Sequence, residues 1–169
     1  MPALSPALRP ALRPALRYLV LPLILAALVV TSLSLAPSAT AASRRQERIW
    51  HGFRIARAQI GDRYAYGAEG PNAFDCSGLV YYSYRRAGFR GVPRTSSQQA
   101  RHMNRIRRRH LRRGDFIFFH NSGGVYHVGI YAGFRNGHRS LIHASRPGTP
   151  VKRDAIWGNN WFAGTLRGL

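Results

Sequence analysis

Phe74-Asp75-Cys76-Ser77-Gly78-Leu79-Val80-Tyr81-Tyr82-Ser83-Tyr84 decides how the rest of the chain is read, because it carries the only cysteine in 169 residues. From Cys76 onward, Leu79, Val80, Ser83 and Tyr84 recur at helical spacing, and Gly88 suits a C-terminal stop. Gly67 and Gly70-Pro71 mark a loop ahead of this helix. Asp75 has the side chain of an N-cap, which places Cys76 in the first turn. Unpaired N–H groups and the macrodipole at that position favour an anion, which for a cysteine is the reactive thiolate. Cys76 therefore reads as a nucleophile mounted on a helix N-terminus. It reads equally as a small buried hydrophobe, the usual state of a lone cysteine.

Upstream, the chain is built for export. Residues 1–17 are proline-rich and carry Arg9, Arg13 and Arg17 with no acid. Tyr18 to Val30 is apolar, and Ala39-Thr40-Ala41 supplies a small-x-small cleavage pattern. Residues 1–41 are expected to be a secretory signal peptide cut after Ala41. An uncleaved anchor fits less well, because Pro22 interrupts an apolar run already short for a span of about 20 residues. No stable membrane span is expected after cleavage, and no paired arginines precede the apolar core to suggest twin-arginine export. A secreted domain stabilised by cysteine would carry an even set for disulfides. A single unpaired thiol in an oxidising compartment must be either buried or used, which strengthens the nucleophile reading.

The remainder is expected to hold a short basic linker, 42–48, and one domain, 49–169. Lys and Arg outnumber Asp and Glu 26 to 6, and every base but Lys152 is arginine. Such a surface gathers polyanions, including acidic wall polymers, although an arginine-biased composition alone produces the same charge. Ile49, Phe53, Ala56 and Ile60 predict a first helix capped by Gly61. Ser96 and Gln99 predict a capping box opening a third helix. Arg101 to Arg113 reads as a solvated helix face and loop, with no interleaved aromatics to stack bases, so no specific nucleic-acid role is expected. The pattern then turns to strands at Phe116–Phe119, Tyr126–Tyr131 and Ser140–Ala144, with weaker candidates at Val151–Ile156 and Phe162–Leu166. Helices followed by strands indicate an α+β domain with an antiparallel sheet.

A cysteine nucleophile needs an imidazole to take its proton and later deliver it to the leaving amine, and that imidazole needs an orienting partner. Of seven histidines, His51 begins the domain, His102 and His110 sit among arginines, and His120 and His138 fall in or beside loops. His127 and His143 differ, because each lies inside an apolar strand pattern flanking Arg135-Asn136-Gly137. If Asn136-Gly137 alone forms the turn, His127 and His143 face opposite sides of the sheet. If the loop has three residues, His143 lies opposite Gly129 and His127 opposite Ser145, so both rings share one face. A shared site therefore requires an odd loop or an equivalent bulge. Zinc held by one cysteine and two histidines is disfavoured, because close ligand pairs are absent.

The blocks Asp75-Cys76-Ser77-Gly78-Leu79-Val80, Pro93-Arg94-Thr95-Ser96-Ser97-Gln98-Gln99, Gly114-Asp115-Phe116-Ile117-Phe118-Phe119, His127-Val128-Gly129-Ile130-Tyr131 and Ile142-His143-Ala144-Ser145 resemble, in order, the NlpC/p60 cell-wall cysteine endopeptidases. The resemblance spans about Ile49 to Leu166. It implies a papain-like α+β fold with Cys76 as nucleophile, His127 as base and His143 as the residue orienting His127. It further implies that the Tyr64 hydroxyl and the Cys76 amide stabilise an oxyanion, with Asp75 and Ser77 positioning substrate. One departure is visible: the family's common Gly-Gly is Gly67-Ala68 here.

The reaction implied is hydrolysis of a peptide bond in peptidoglycan stem peptides, typically between D-glutamyl and a diamino acid, through a thioester and without metal or cofactor. Two other readings stand beside it. One is a wall amidase using the same Cys-His-His site. The other is a non-enzymatic basic secreted protein that binds polyanions.

Overall fold

The computed structural model describes residues 36–167. Most of the expected export segment, residues 1–35, lies outside the described residues. Helix α1 (Ala36–Ala58) runs through the expected cleavage position and through 42–48. The expected basic linker is therefore helical. Its residues, Ala42-Ser43-Arg44-Arg45-Gln46-Glu47-Arg48, include good helix formers and no glycine or proline. Among the described residues no helix is long and apolar enough to cross a membrane.

From Ser43 onward the chain forms one compact unit. Ile49, Phe53 and Ala56 of α1 are buried. Gly52 lets the helix lie against Tyr84, since a Cβ there would come within 2.7 Å of the ring. Ile60, expected on the same face, falls beyond the helix end and is exposed. Two short strands follow, β1 (Arg63–Tyr64) and β2 (Ala73–Phe74), which pair in parallel and bring Tyr64 beside Phe74.

Helix α2 (Cys76–Arg86) starts where its sequence says it should. Asp75 is the N-cap and accepts a 2.6 Å hydrogen bond from the Gly78 amide. Leu79, Val80, Ser83 and Tyr84 form the buried face, and Gly88 closes the turn at φ +94°. Helix α3 (Ser96–His102) begins one residue earlier than its expected cap: Thr95 and Gln98 form the capping box. Gln99 is pulled inward instead, fully buried, and donates to the carbonyls of Ser77 and Pro93. That inward pull decides the register, because a buried amide must be hydrogen-bonded while a cap residue can face water.

Within the arginine run the structure replaces the expected helix face and loop with strand β3 (Asn104–Ile106) and a 3-10 turn at Arg108–His110. Here Ile106 packs on the core, while Arg105 and Arg108 lie over the Phe162 and Trp161 rings at 3.8 and 3.9 Å. Guanidinium groups stacked on aromatic rings allow a charged segment to serve as an edge strand. Strands β4 (Phe116–Asn121), β5 (Gly124–Arg135), β6 (His138–His143), β7 (Lys152–Ala155) and β8 (Trp161–Thr165) complete a six-stranded antiparallel sheet in the order β3-β8-β4-β5-β6-β7. His120 and His138, expected in or beside loops, lie on β4 and β6. The α+β fold follows from period-2 alternation in β4: Phe116 and Phe118 face the helices, and Ile117 and Phe119 face the opposite side.

The turn between β5 and β6 contains only Asn136 and Gly137, both left-handed at φ 50° and 76°, as a tight two-residue hairpin requires. Arg135 pairs with His138 and Gly133 with Ser140, but Tyr131 then pairs with Leu141. Ala132 is therefore an extra residue, a β-bulge with Gly133 at φ +86°. Arg153 holds it through the Ala132 carbonyl, and Ser140 holds it through the Gly133 carbonyl. The shift that puts both histidines on one face comes from inside the strand and not from the turn.

Candidate active site

Four elements converge at the N-terminus of α2. Amides along β5 point alternately to β4 and β6, and the Tyr131 amide donates to Asp115 on the β4 side. The Val128 amide must therefore point to the other side, where β6 has already ended at His143. Cys76 occupies that notch. The Val128, Ser77 and Cys76 amides lie near its sulfur and act to stabilise its ionised form.

These donors favour the thiolate, but burial is the larger effect and pushes the thiol above its ordinary value. The anion expected from helix position alone is not the resting form. His127 is also held neutral, with its imidazole pushed down to about 3 by burial and by the adjacent His143. Burial thus favours the neutral form of both the Cys76 thiol and the His127 imidazole.

His127 and His143 are buried side by side, with His127 Nε2 2.9 Å from His143 Nδ1. That contact leaves His127 Nδ1 as the nitrogen not engaged by the second ring. Behind His143, Asp154 Oδ2 lies 3.1 Å from Nε2 and also pairs with Lys152 at 2.9 Å. Trp157 stacks on Phe119 at 4.1 Å and lies 5.7 and 5.3 Å from the His127 and His143 rings. This indole shields the imidazole pair from one side.

Tyr64 is brought towards Cys76 by the β1–β2 pairing, and its phenol is pushed up by burial first and then by the Cys76 and Asp75 charges. It remains a hydroxyl donor at neutral pH. Asp75 and Ser77 are bound into the scaffold. Arg94 clamps both Asp75 oxygens at 3.0 and 2.8 Å, donates to the Ser77 hydroxyl and the Ala68 carbonyl, and pairs with Glu69. Asp75 also accepts from the Gly67 amide. Burial of Asp75 opposes ionisation, but the Arg94 and Gly78 bonds prevail and hold its carboxyl below the ordinary range. Gly67 takes the left-handed conformation at φ +75°, so Ala68 stands where no glycine is needed.

Sequence reading passed over three residues here. Arg94 lay in a quoted block with no role attached to it. Trp157 carries no local signal. Asp154 had one: it is the only acid after Asp115 in a chain with six.

The family comparison agrees with this geometry. Residues 61–168 match the NlpC/P60 family. This chain belongs to the NlpC/P60 family. A probable endopeptidase of Corynebacterium glutamicum (strain R) is 38% identical over 135 residues, covering 80% of this NlpC/P60 chain and 59% of that protein. The murein DD-endopeptidase MepH of Escherichia coli K12 is 33% identical over 135 residues, covering 75% of this chain and 48% of MepH. This NlpC/P60 chain thus spans about half to three-fifths of those relatives. The crystal structure of the NlpC/p60 domain of peptidoglycan hydrolase SagA superposes with a TM-score of 0.61 at 29% identity, covering 70% of this chain and 98% of that domain.

The buried imidazoles of this NlpC/P60 domain also set a pH dependence. Both have folded-state values below the unfolded histidine range, so between those values the unfolded chain binds more protons than the folded one. Their contribution is fully present above about pH 6.5 and falls as pH drops towards the folded values. The urea midpoint is expected to be lower at pH 5 than at pH 7. An equal or higher midpoint at pH 5 would contradict the neutral burial of this pair.

Proposed function

We propose that this protein is an extracytoplasmic cysteine endopeptidase that hydrolyses a peptide bond in peptidoglycan stem peptides, between D-glutamyl and a diamino acid. The observation that carries the proposal is the pair of buried, mutually bonded imidazoles on β5 and β6, with the lone thiol near the Val128 amide next to His127 in sequence. Cys76 gives its proton to His127 Nδ1 as its sulfur attacks the scissile carbonyl. The Tyr64 hydroxyl and the Cys76 amide take the developing oxyanion. His127 returns the proton to the departing amine as the C–N bond breaks and a thioester remains. Water, deprotonated by His127, then attacks the thioester, and the acyl product leaves with the thiol restored. His143 orients His127. Asp75, Ser77 and Arg94 fix the loop 67–75 along which the substrate lies.

Residues 1–41 act as the export signal in this reading. The test is digestion of purified peptidoglycan with identification of new termini by mass spectrometry. The expected products are a free D-glutamyl carboxyl and a free amine on the diamino acid. Iodoacetamide can modify only one thiol in this chain, Cys76, and is expected to abolish those termini. Fragmentation that survives alkylation would refute the cysteine mechanism. A new terminus at a D,D cross-link or between sugar and peptide would keep the mechanism and correct the bond.

The net charge of +20 supports adhesion to acidic wall polymers. Retention on purified walls is expected to weaken from 0.1 M to 1 M salt, where the screening length drops from about 10 Å to about 3 Å. Equal retention at both salts would rule out an electrostatic tether.

A further inference from the structure

The contacts behind His127 restrict where its proton can sit. An ionised carboxylate only accepts hydrogen bonds, and a neutral imidazole has one N–H and one lone pair. Asp154 lies 3.1 Å from His143 Nε2, so His143 must carry its proton there. Its Nδ1 is then a lone pair. The 2.9 Å contact with His127 Nε2 is consequently a hydrogen bond donated by His127. His127 is left with an unprotonated Nδ1, the form that can accept a proton from Cys76. With Nδ1 protonated instead, the ring would have no lone pair to offer the thiol.

We propose that Asp154 is a positioning residue that sets the tautomer of His127 through His143. The sheet makes this possible: Asp154 stands opposite Leu141 and diagonal to His143 on the same face, while Lys152 stands directly opposite His143. Lys152, the only lysine of the chain, has its Nζ 2.9 Å from the same Asp154 oxygen and favours its ionised state. The charged and titratable groups in this chain of contacts are Lys152 and Asp154 on β7, His143 on β6 and His127 on β5. Nothing in the geometry requires Asp154 to touch substrate. Its role in turnover rests on the hydrolase reading, but its effect on the tautomer does not.

The test uses the full chain labelled with 15N-histidine, its His127 signal assigned by loss in His127→Gln. Two-bond 15N–1H spectra at pH 7 read the tautomer without substrate. The wild-type protein is expected to show His127 protonated on Nε2. In Asp154→Leu no acceptor faces His143 Nε2, so nothing holds the two hydrogen bonds in one direction, and His127 is expected to populate the Nδ1–H form as well. On peptidoglycan fragments that variant is expected to lose about tenfold to a hundredfold in kcat with KM unchanged, the usual cost of removing a residue that orients another. Asp154→Glu is expected to restore the wild-type tautomer and part of the rate, which also guards against a folding artefact. A wild-type His127 carrying its proton on Nδ1, or an Asp154→Leu protein with an unchanged tautomer, overturns the proposal. If no hydrolysis is found for the wild-type chain but the tautomer switches, the inference stands and the hydrolase reading falls.

Discussion

His127→Gln is expected to lower kcat for stem-peptide hydrolysis by about 10³- to 10⁴-fold, because in the proposed mechanism one ring performs two proton transfers that nothing nearby can replace. Cys76 is held as a thiol by burial, so without the imidazole the nucleophile is scarcely formed at pH 7. The leaving amine also loses its acid. His143 cannot substitute, since its Nδ1 faces the position of His127 and its Nε2 is bound to Asp154. The same variant is expected to keep alkylation by iodoacetamide at high pH, where hydroxide ionises the thiol directly. In the substrate-free wild-type protein, alkylation is expected to accelerate through and above the ordinary thiol range, without the acid plateau of a preformed ion pair. A His127→Gln enzyme within tenfold of wild type would mean that the base lies elsewhere.

Gly78→Ala is expected to cost about 1–3 kcal/mol of stability and nearly all hydrolysis. On helix propensity alone the sign would be opposite, since alanine in place of glycine inside a helix gains about 1 kcal/mol. The close approach decides it. A Cβ on Gly78 would stand 2.0 Å from the Ala68 carbonyl oxygen and 3.0 Å from Asp75 Oδ1. That carbonyl is backbone, fixed by the Asp75 amide at 2.9 Å and by Arg94 at 3.2 Å, so it cannot yield without releasing the loop. Because Cys76 lies two residues away, any movement of α2 displaces the sulfur from the Val128 amide. Urea denaturation with an unchanged slope, together with the rate of peptidoglycan digestion, measures both effects. A variant more stable than wild type would show that the loop is free to move.

The arginine-rich segment shows where local pattern misleads. Charge in a run predicts solvent exposure, and most of these arginines are exposed. Yet the guanidinium groups of Arg105 and Arg108 stack on Phe162 and Trp161, which are more than 50 residues away in sequence. No window along the chain contains that contact. The capping box at α3 failed by one residue for a similar reason: Gln99 is fixed by the Ser77 and Pro93 carbonyls, not by its own helix.

Sequence alone determined the elements whose causes are local: the Asp75 cap that starts α2 at Cys76, the alternating strands, a hairpin turn within Arg135-Asn136-Gly137, and the condition that His127 and His143 share a face only if the pairing shifts by one. Tertiary structure decided how that condition is met, through a bulge at Ala132 held by Arg153 from β7, two strands away. It also decided that Asp154 stands behind His143 and that burial outweighs the helix N-terminus at the sulfur. The division is physical. Caps and turns are set by neighbours within a few residues, whereas register, burial and the proton positions of a hydrogen-bonded chain depend on groups that meet only after the sheet has closed.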